Sequence, residues 1–452
     1  VALGANALDA NTTANQNTAV GFEALTTNTT GAGNSALGNG ALQLNTTASN
    51  NTAIGQQALR ANTTGSANVA VGKGALTSST TGSTNTACGK EALASNTTAS
   101  RNTAFGAEAL YANTTGANNT ALGSNALDSN TTADESTGIG YLALEVNTTG
   151  QYNTAVGARA LDANTTANNN TAVGRLALSA NTTASSNTAV GIQALTSATT
   201  AGENTAIGAS SADNLTTGGE NVAVGYHALG AATTSSENVA VGHAAGDASS
   251  GSHNTFLGHS AGGSATTGSD SVFIGSMAGD HDTATIDGDR ATIVGSRANA
   301  STSGSSQETV LGYNVTGKGS STFHVIGASG AFHTGNTTTW STTSDRRIKK
   351  NIVNNNTGLD LISSIQVRNF EYKTREEIIE DNSELTDVIE SAVVEKEGLQ
   401  IGVIAQELEK ILPDCVKTQT TGIKTVDSDN LTWYLINAVK ELSAKVTALE
   451  AG

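Results

Sequence analysis

A glycine returns every seventeen residues, at 4, 21, 38, 55, 72, 89, 106, 123, 140, 157, 174, 191, 208, 225 and 242, and then at 258 and 275. A period held over so many copies means that each unit meets the same surroundings as the next, the condition for a stacked solenoid and not for one globular core. One unit runs Asn-Thr-Ala-(Val/Ile/Leu)-Gly-x-x-Ala-Leu-x-x-Asn-Thr-Thr-(Ala/Gly)-x-x. The residue before the glycine is apolar, as at Val20, Leu37, Ile54, Val71, Cys88 and Phe105, commonly with Thr or Val two residues earlier. Side chains two apart share one face of an extended segment, so each unit is expected to hold a short strand that buries this row. The glycine supplies a positive φ or a close approach, and the Ala-Leu pairs at 24–25, 58–59 and 109–110 give a second apolar contact. A helix is excluded, because the apolar positions do not recur at three and four and Gly and Thr-Thr interrupt every candidate. Parallel stacking at about 4.8 Å per coil then predicts a rod on the order of 100 Å from roughly twenty coils.

Asn stands four residues before the glycine in thirteen of the fourteen coils from Gly21 to Gly242, with Ser136 the exception. Stacked Asn side chains hydrogen-bond along such a rod and tolerate turn backbone, so this row is read as a structural ladder. A second row, Asn28-Thr-Thr with copies at 45, 62, 96, 113, 130, 147, 164 and 181, reads as a turn and also forms Asn-x-Thr sequons. A repeat rich in Asn and Thr generates sequons by composition alone, so glycosylation is the minority reading. Regular Thr rows also raise an ice-binding face, but adjacent threonines in a strand point to opposite faces.

Composition narrows the partners. The formal charge is -17, and the longest basic runs are Arg346-Arg347 and Lys349-Lys350, which argues against nucleic acid. No stretch approaches a membrane span. The chain opens at Val1 inside a repeat, so an anchoring or targeting part is expected to lie before it. Cys88 and Cys415 are far apart in unlike sequence, giving neither a disulfide framework nor a metal spacing, and no metal or cofactor is expected.

The Asn-x-Ala-(Val/Ile)-Gly strand followed by Ala-Leu resembles the head repeats of trimeric autotransporter adhesins, and similar repeats occur in phage tail fibres. That resemblance covers about residues 1–275 and implies a parallel β-roll and a homotrimer. The residues themselves show only that one coil holds few large apolar groups, so that a neighbouring chain would help to bury them.

From 276 to 343 the step becomes irregular, although Ile293-Val-Gly295, Val310-Leu-Gly312 and Val325-Ile-Gly327 keep the strand-then-glycine unit. This stretch is expected to be a tapering β neck. His324 and His333 within it are surface or packing residues, since no third ligand has suitable spacing. At Ser344 the composition changes, and thirteen of the 22 Lys and Arg lie beyond it. Phe370-Glu-Tyr-Lys373 and Ile401–Ala405 read as strands, 374–398 as an acidic insertion of helical character, and Gln406–Leu412 as a helix stopped by Pro413. Leu435, Val439, Leu442, Val446 and Leu449 step by 4, 3, 4 and 3, a coiled-coil seam over about 431–450.

Ser344-Asp-Arg-Arg-Ile-Lys349-Lys-Asn351-Ile, Phe370-Glu-Tyr-Lys, Gly402-Val-Ile-Ala-Gln406-Glu407 with Pro413 following, and Ala438-Val-Lys-Glu-Leu442 occur in order. Together they resemble the intramolecular chaperone of the S74 peptidase family, found at the C-termini of phage tail spikes, tail fibres and endosialidases. The resemblance covers 344–452. It implies a Ser344–Lys349 dyad, self-cleavage beside Ser344 at Ser344-Asp345, and a chaperone signature that includes Asn351, Gln406 and Glu407. A serine hydroxyl is a weak nucleophile, and a lysine activates it only as a neutral base, which burial or neighbouring cations such as Arg346, Arg347 and Lys350 would favour. Alone, a Ser and a Lys five apart would cap a helix and carry a solvated charge; the surrounding motifs reverse that reading.

The expectation is therefore a mainly β protein. A parallel β-solenoid of 17-residue coils (1–275) is followed by an irregular neck (276–343) and an α+β chaperone ending in a coiled coil (344–452). Its expected function is that of a homotrimeric viral tail fibre, located on the virion, that contacts a host-surface glycan or protein and whose only enzymatic act is on itself. The alternative is a cell-surface adhesin or matrix filament with a retained, non-cleaving chaperone.

Overall fold

The computed structural model describes residues 1–280, 287–302, 304–317, 319–325, 346, 350–381, 394, 397–418 and 422–451. The chain divides into two compact units, Val1–Arg290 and Ala291–Gly452. The first holds seventeen strands, β1 (Ala2–Leu3), β2 (Thr18–Val20) and so on, one per coil, to β17 (Val272–Ile274). Neighbours pair in parallel and in register: Thr18 lies against Ser35, Ala19 against Ala36 and Val20 against Leu37. One strand per coil makes a stack, so every coil both donates and accepts main-chain hydrogen bonds along the axis.

The strands face the other way from the sequence expectation. In β2 it is Ala19 that is fully buried, while Thr18 is exposed and Val20 half-buried. The same alternation holds in the next strand, where Ala36 is buried and Leu37 is 50 % exposed. The reason is volume. The wall opposite the strand carries Leu25, Leu42, Leu59 and their equivalents, each fully buried. At Gly138, which replaces the usual alanine, an added Cβ would lie 3.2 Å from the Leu127 side chain, so the coil has room for a methyl group and little more. The larger aliphatic is displaced to the outside.

Further along, the two walls exchange volume. Phe256 and Phe273 occupy the inward strand position, with ring centroids 5.4 Å apart, and the leucine row opposite becomes Gly246 and Gly262. A Cβ on Gly262 would lie 2.1 Å from the Phe256 ring. Total volume is kept while the side that supplies it changes. The leucines themselves sit in left-handed backbone, as at Leu25 with φ of 52°. That conformation costs about 1–2 kcal/mol, and complete burial of the side chain returns about 1.5–3 kcal/mol.

The glycine of each coil does what no other residue can. Gly21 has φ of 136°, and a Cβ there would stand 2.4 Å from the carbonyl oxygen of Gly38 in the next coil. Both Asn rows are ladders, as expected. Asn34 receives into the stack through its backbone N–H, which donates to Asn17 Oδ1 at 2.9 Å, and its Nδ2 donates to the Ala48 carbonyl at 2.9 Å. In the second row Asn45 Nδ2 donates to Asn28 Oδ1 at 2.7 Å and to the Ala48 carbonyl at 3.0 Å. These bonds satisfy main-chain groups that a loop so narrow could not expose to water.

In the second unit, β18 (Thr292–Val294), β19 (Thr309–Leu311) and β20 (Phe323–Val325) continue the parallel, in-register pattern. Glu308 takes the Asn-ladder position there, is fully buried, and accepts from the backbone N–H of Ser301 at 3.0 Å and of Gly319 at 2.8 Å. His324 pairs through Nδ1 with the Thr316 carbonyl at 2.9 Å, a packing role; His333 lies outside the described residues. The remainder is α1 (Leu359–Ser363), β21 (Arg368–Phe370), α2 (Arg375–Asp381), β22 (Gln400–Gly402), α3 (Ala405–Leu408), a 3-10 turn (Pro413–Cys415), β23 (Val416–Thr418), β24 (Lys424–Val426) and α4 (Ser428–Ala451). Its small core is Leu408, Leu412 and Cys415, packed by Leu361, Ile365, Leu431 and Tyr434 among others. Three elements differ from expectation. The strand expected over 401–405 spans only Gln400–Gly402, and Ala405 already opens α3. The strand expected at 370–373 lies at Arg368–Phe370, where it pairs antiparallel with Gln400–Gly402. The helix expected over 406–412 is the single turn Ala405–Leu408, capped at Glu409; the chain then turns, Leu412 enters the core and Pro413 opens the 3-10 turn.

Candidate functional site

The C-terminal segment is organised around α4. Asp427 starts the helix by accepting from the backbone N–H groups of Asp429 and Asn430, both at 3.2 Å. Lys417, 2.8 Å from Asp427, is the main cause that holds this carboxyl below its ordinary range. One side of α4 packs on its own unit: Leu431 and Tyr434 reach the core, Ala438 is buried, and Glu441 accepts from the Leu359 N–H at 3.1 Å. The other side carries the expected seam, and there Leu435, Val439, Leu442, Val446 and Leu449 are all exposed. The helix is thus packed on one side as far as Glu441 and carries a continuous exposed apolar row on the other, the pattern of a coiled-coil seam.

Of the residues expected from the resemblance, Gln406 and Glu407 stand on α3 next to the core residue Leu408. Glu407, on α3, takes a two-pronged bond from Arg368 on β21, with Nε to Oε2 at 3.2 Å and a terminal nitrogen to Oε1 at 3.0 Å. This fork ties the start of α3 to the two-stranded sheet that precedes it. Gln406 beside it is exposed, and Asn351 is exposed with a left-handed backbone, φ of 54°. Ser344, Asp345 and Lys349 lie outside the described residues. Among the described residues no group of three or more His, Cys, Asp or Glu is arranged to hold a metal, and no helix is long and apolar enough to cross a membrane.

In the first unit the sequon rows are closed to modification of the folded coil. Asn28, Asn45 and Asn62 are fully buried, and their amide nitrogens are already hydrogen-bonded within the ladder. What sequence reasoning missed is the outward aliphatic row. Its signal was present in the alternation Thr-Ala-Val, where the middle residue is nearly always the smallest; a strand whose small side chain is the constant one has its narrow side inward.

Among curated proteins none matches this chain. Residues 344–417 match the Peptidase_S74 family, described as the chaperone of endosialidase. The matched span runs from the serine of the proposed dyad through the Arg368–Glu407 fork to the strand that follows Cys415. The chain is thus a parallel β-solenoid that carries, over residues 344–417, a segment of the S74 chaperone family.

Proposed function

We propose that the chain is the subunit of a homotrimeric tail fibre that attaches to a host-cell surface, and that its C-terminal segment is an intramolecular chaperone which sets the register of the three chains and then cuts itself away. The observation that carries this reading is the equivalence of the coils. Hydrogen bonds in the first unit repeat at a separation of 17 residues, from Asn34 on Asn17 to Asn238 on Asn221. Two such chains displaced by one coil would keep nearly all contacts between them, so alignment needs a reference outside the repeat. The exposed seam of α4 supports that role, because helices that pair through it bring the chain ends level.

In the cleavage step Lys349, as a neutral amine, takes the Ser344 hydroxyl proton as that oxygen adds to the carbonyl of the Ser344-Asp345 bond. The proton passes to the departing Asp345 amine as the C–N bond breaks, and water hydrolyses the ester so formed to a carboxylate, once per chain. Separation of fibre from chaperone would make assembly hard to reverse. Intact mass of purified wild type and Ser344→Ala tests the dyad: two fragments from wild type and one full-length chain from the variant are expected, and a single full-length mass from both refutes cleavage. Deletion of 344–452 is expected to abolish homogeneous trimers; recovery of soluble, uniform trimers from the shortened chain would refute the chaperone role. The contact with a host glycan or protein is tested by binding of the assembled fibre to host cells.

A further inference from the structure

We propose that the outward face of the strands in residues 18–274 is the surface on which copies of this chain pack, in parallel and coil against same-numbered coil, so that Cys88 of each copy lies beside Cys88 of its neighbours. The proposal rests on the self-assembly reading above and adds the surface and the register.

The face is unlike any other on the unit. From β2 to β17 the first and third residues of each strand point outward, and no residue of these sixteen strands is charged. The third position holds Val, Leu, Ile, Phe or Cys throughout, with Leu37 50 %, Leu122 49 % and Leu257 46 % exposed. Six of the sixteen are exposed and ten half-buried, so the row alone presents on the order of 1,000 Å² of apolar surface per chain, more than the few hundred Å² found on monomers. It also matches the roughly 800 Å² per partner of a stable interface. Charges flank it on both sides. Lys73, Lys90, Glu91, Glu108 and Arg175 lie in the turn after the glycine, and Glu135, Glu203, Glu220 and Glu237 in the turn before the strand. An apolar centre with a charged rim is the anatomy of a protein interface.

The shape of the row selects the occupant. It is one side chain wide and repeats at the strand spacing of about 4.8 Å, so a partner that covers it along its length must carry the same repeat. A second copy does. Copies related by rotation about an axis parallel to the stack set equivalent coils at one height, and each rung of the row then meets its own equivalent. The interior cannot take these side chains as well: the inward position of β2–β15 is limited to alanine or glycine by the wall opposite, and in β16 and β17 it is already filled by Phe256 and Phe273; only another chain can remove the outward row from water.

Cys88 makes the arrangement measurable in the natural protein. It is the third residue of its strand, half-buried and free, while the second cysteine, Cys415, is fully buried. A short bis-maleimide, adding one thiol across each double bond, is expected to convert the full-length chain largely to a covalent dimer on a denaturing gel. A three-chain assembly leaves the third thiol singly labelled. Cys88→Ser should abolish the product and Cys415→Ser should not. Thr98→Cys in the Cys88→Ser background places a thiol on a different, exposed row and should link at least ten-fold less. Light scattering on the same samples separates the two readings. Trimers in which Thr98→Cys links and Cys88 does not would overturn this face and leave self-assembly standing. A chain that is monomeric at all concentrations would overturn both.

Discussion

Replacing one rung of the first Asn ladder should open the solenoid locally and by an amount that the hydrogen bonds fix. Asn102 is fully buried; its Nδ2 donates to the Gly116 carbonyl at 2.8 Å, and its Oδ1 accepts from the Asn119 N–H at 2.9 Å. Asn102→Ala removes both bonds at once and orphans the buried Asn119 N–H, while the Gly116 carbonyl keeps its second bond, from Asn113 Nδ2 at 2.9 Å. At about 1–3 kcal/mol for the orphaned N–H and about 0.5–1.5 kcal/mol for the other lost bond, the loss is about 1.5–4.5 kcal/mol. The coil at Ser136 supplies a natural intermediate. Its N–H still donates to Asn119 Oδ1 at 2.9 Å, but its hydroxyl reaches the Gly150 carbonyl at only 3.5 Å and receives the Asn153 N–H at 3.4 Å. Asn102→Ser should therefore cost about half as much as Asn102→Ala. Repeat arrays do not unfold in one step, so a local probe is needed. Hydrogen exchange of peptides spanning 103–122, compared with 187–210, reads the effect where it occurs. Exchange of the near peptides should quicken roughly ten-fold to a thousand-fold at about 1.4 kcal/mol per decade, with the distant ones unchanged. Rates within three-fold of wild type, equal effects of Ala and Ser, or an even rise along the stack would refute the ladder argument.

Gly106→Ala should destabilise its coil by about 2–6 kcal/mol, from a disallowed backbone and an overpacked contact together: φ there is 139° and a Cβ would stand 2.3 Å from the Gly123 carbonyl oxygen. Gly40→Asn is the control, since Asn125 occupies the same place in its coil with φ of 56°, and thermal unfolding of the two variants should differ by several degrees. The carboxyl of Asp128 is raised above its ordinary range first by burial and then by Glu108 and Glu145. Its ionised form is therefore disfavoured in the folded coil, and the penalty acts above the raised pKa and fades as pH falls through it toward 3.8. Asp128→Asn should stabilise the coil near neutral pH and remove that part of the acid-side gain, measured as the difference between the two unfolding curves across pH; parallel curves would refute it.

How much of this was legible depended on whether a residue's role is local. The period, the position of each strand, the glycine and both Asn rows follow from bonds between a residue and its copy one coil away, and a repeat displays those directly. The seam from Leu435 to Leu449 was legible for the same reason. The facing of the strands was not. A three-residue strand alternates once, so hydrophobicity alone placed Val20 inside and left Ala19 unremarked; the deciding fact is the volume of Leu25 on the opposite wall, which no strand pattern contains. Phe256 is intelligible only with Gly246 and Gly262, on two different coils. In the C-terminal unit the short α3 and the shifted β21 answer to the core at Leu408 and Leu412 and to pairing with β22, which join residues far apart in sequence.

The step of sixteen between Gly242 and Gly258 shows which part of a coil is dispensable. Ser249 keeps the turn bond of the preceding coil, with its N–H on the Gly246 carbonyl at 3.0 Å as Ala232 N–H is on Leu229 at 3.2 Å, and Asn254 keeps the ladder bond to Asn238 at 2.9 Å. The missing residue therefore falls between these two fixed points, in the Thr-Thr turn, and the exposed second threonine is the one without a counterpart. Deletion of Thr115 alone should then be tolerated, because it recreates a coil that the chain already contains. Deletion of Ala104 removes the same number of atoms or fewer and should not be, since it draws Thr103 or Phe105 into the inward position against Leu110, where only a methyl group fits, and turns the next strand residue over. Soluble yield and the onset of thermal unfolding should remain near wild type for the first and fall sharply for the second. Equal behaviour of the two deletions would mean that the turn and the strand constrain the coil alike, and that the narrow interior is not what fixes the facing of the strands.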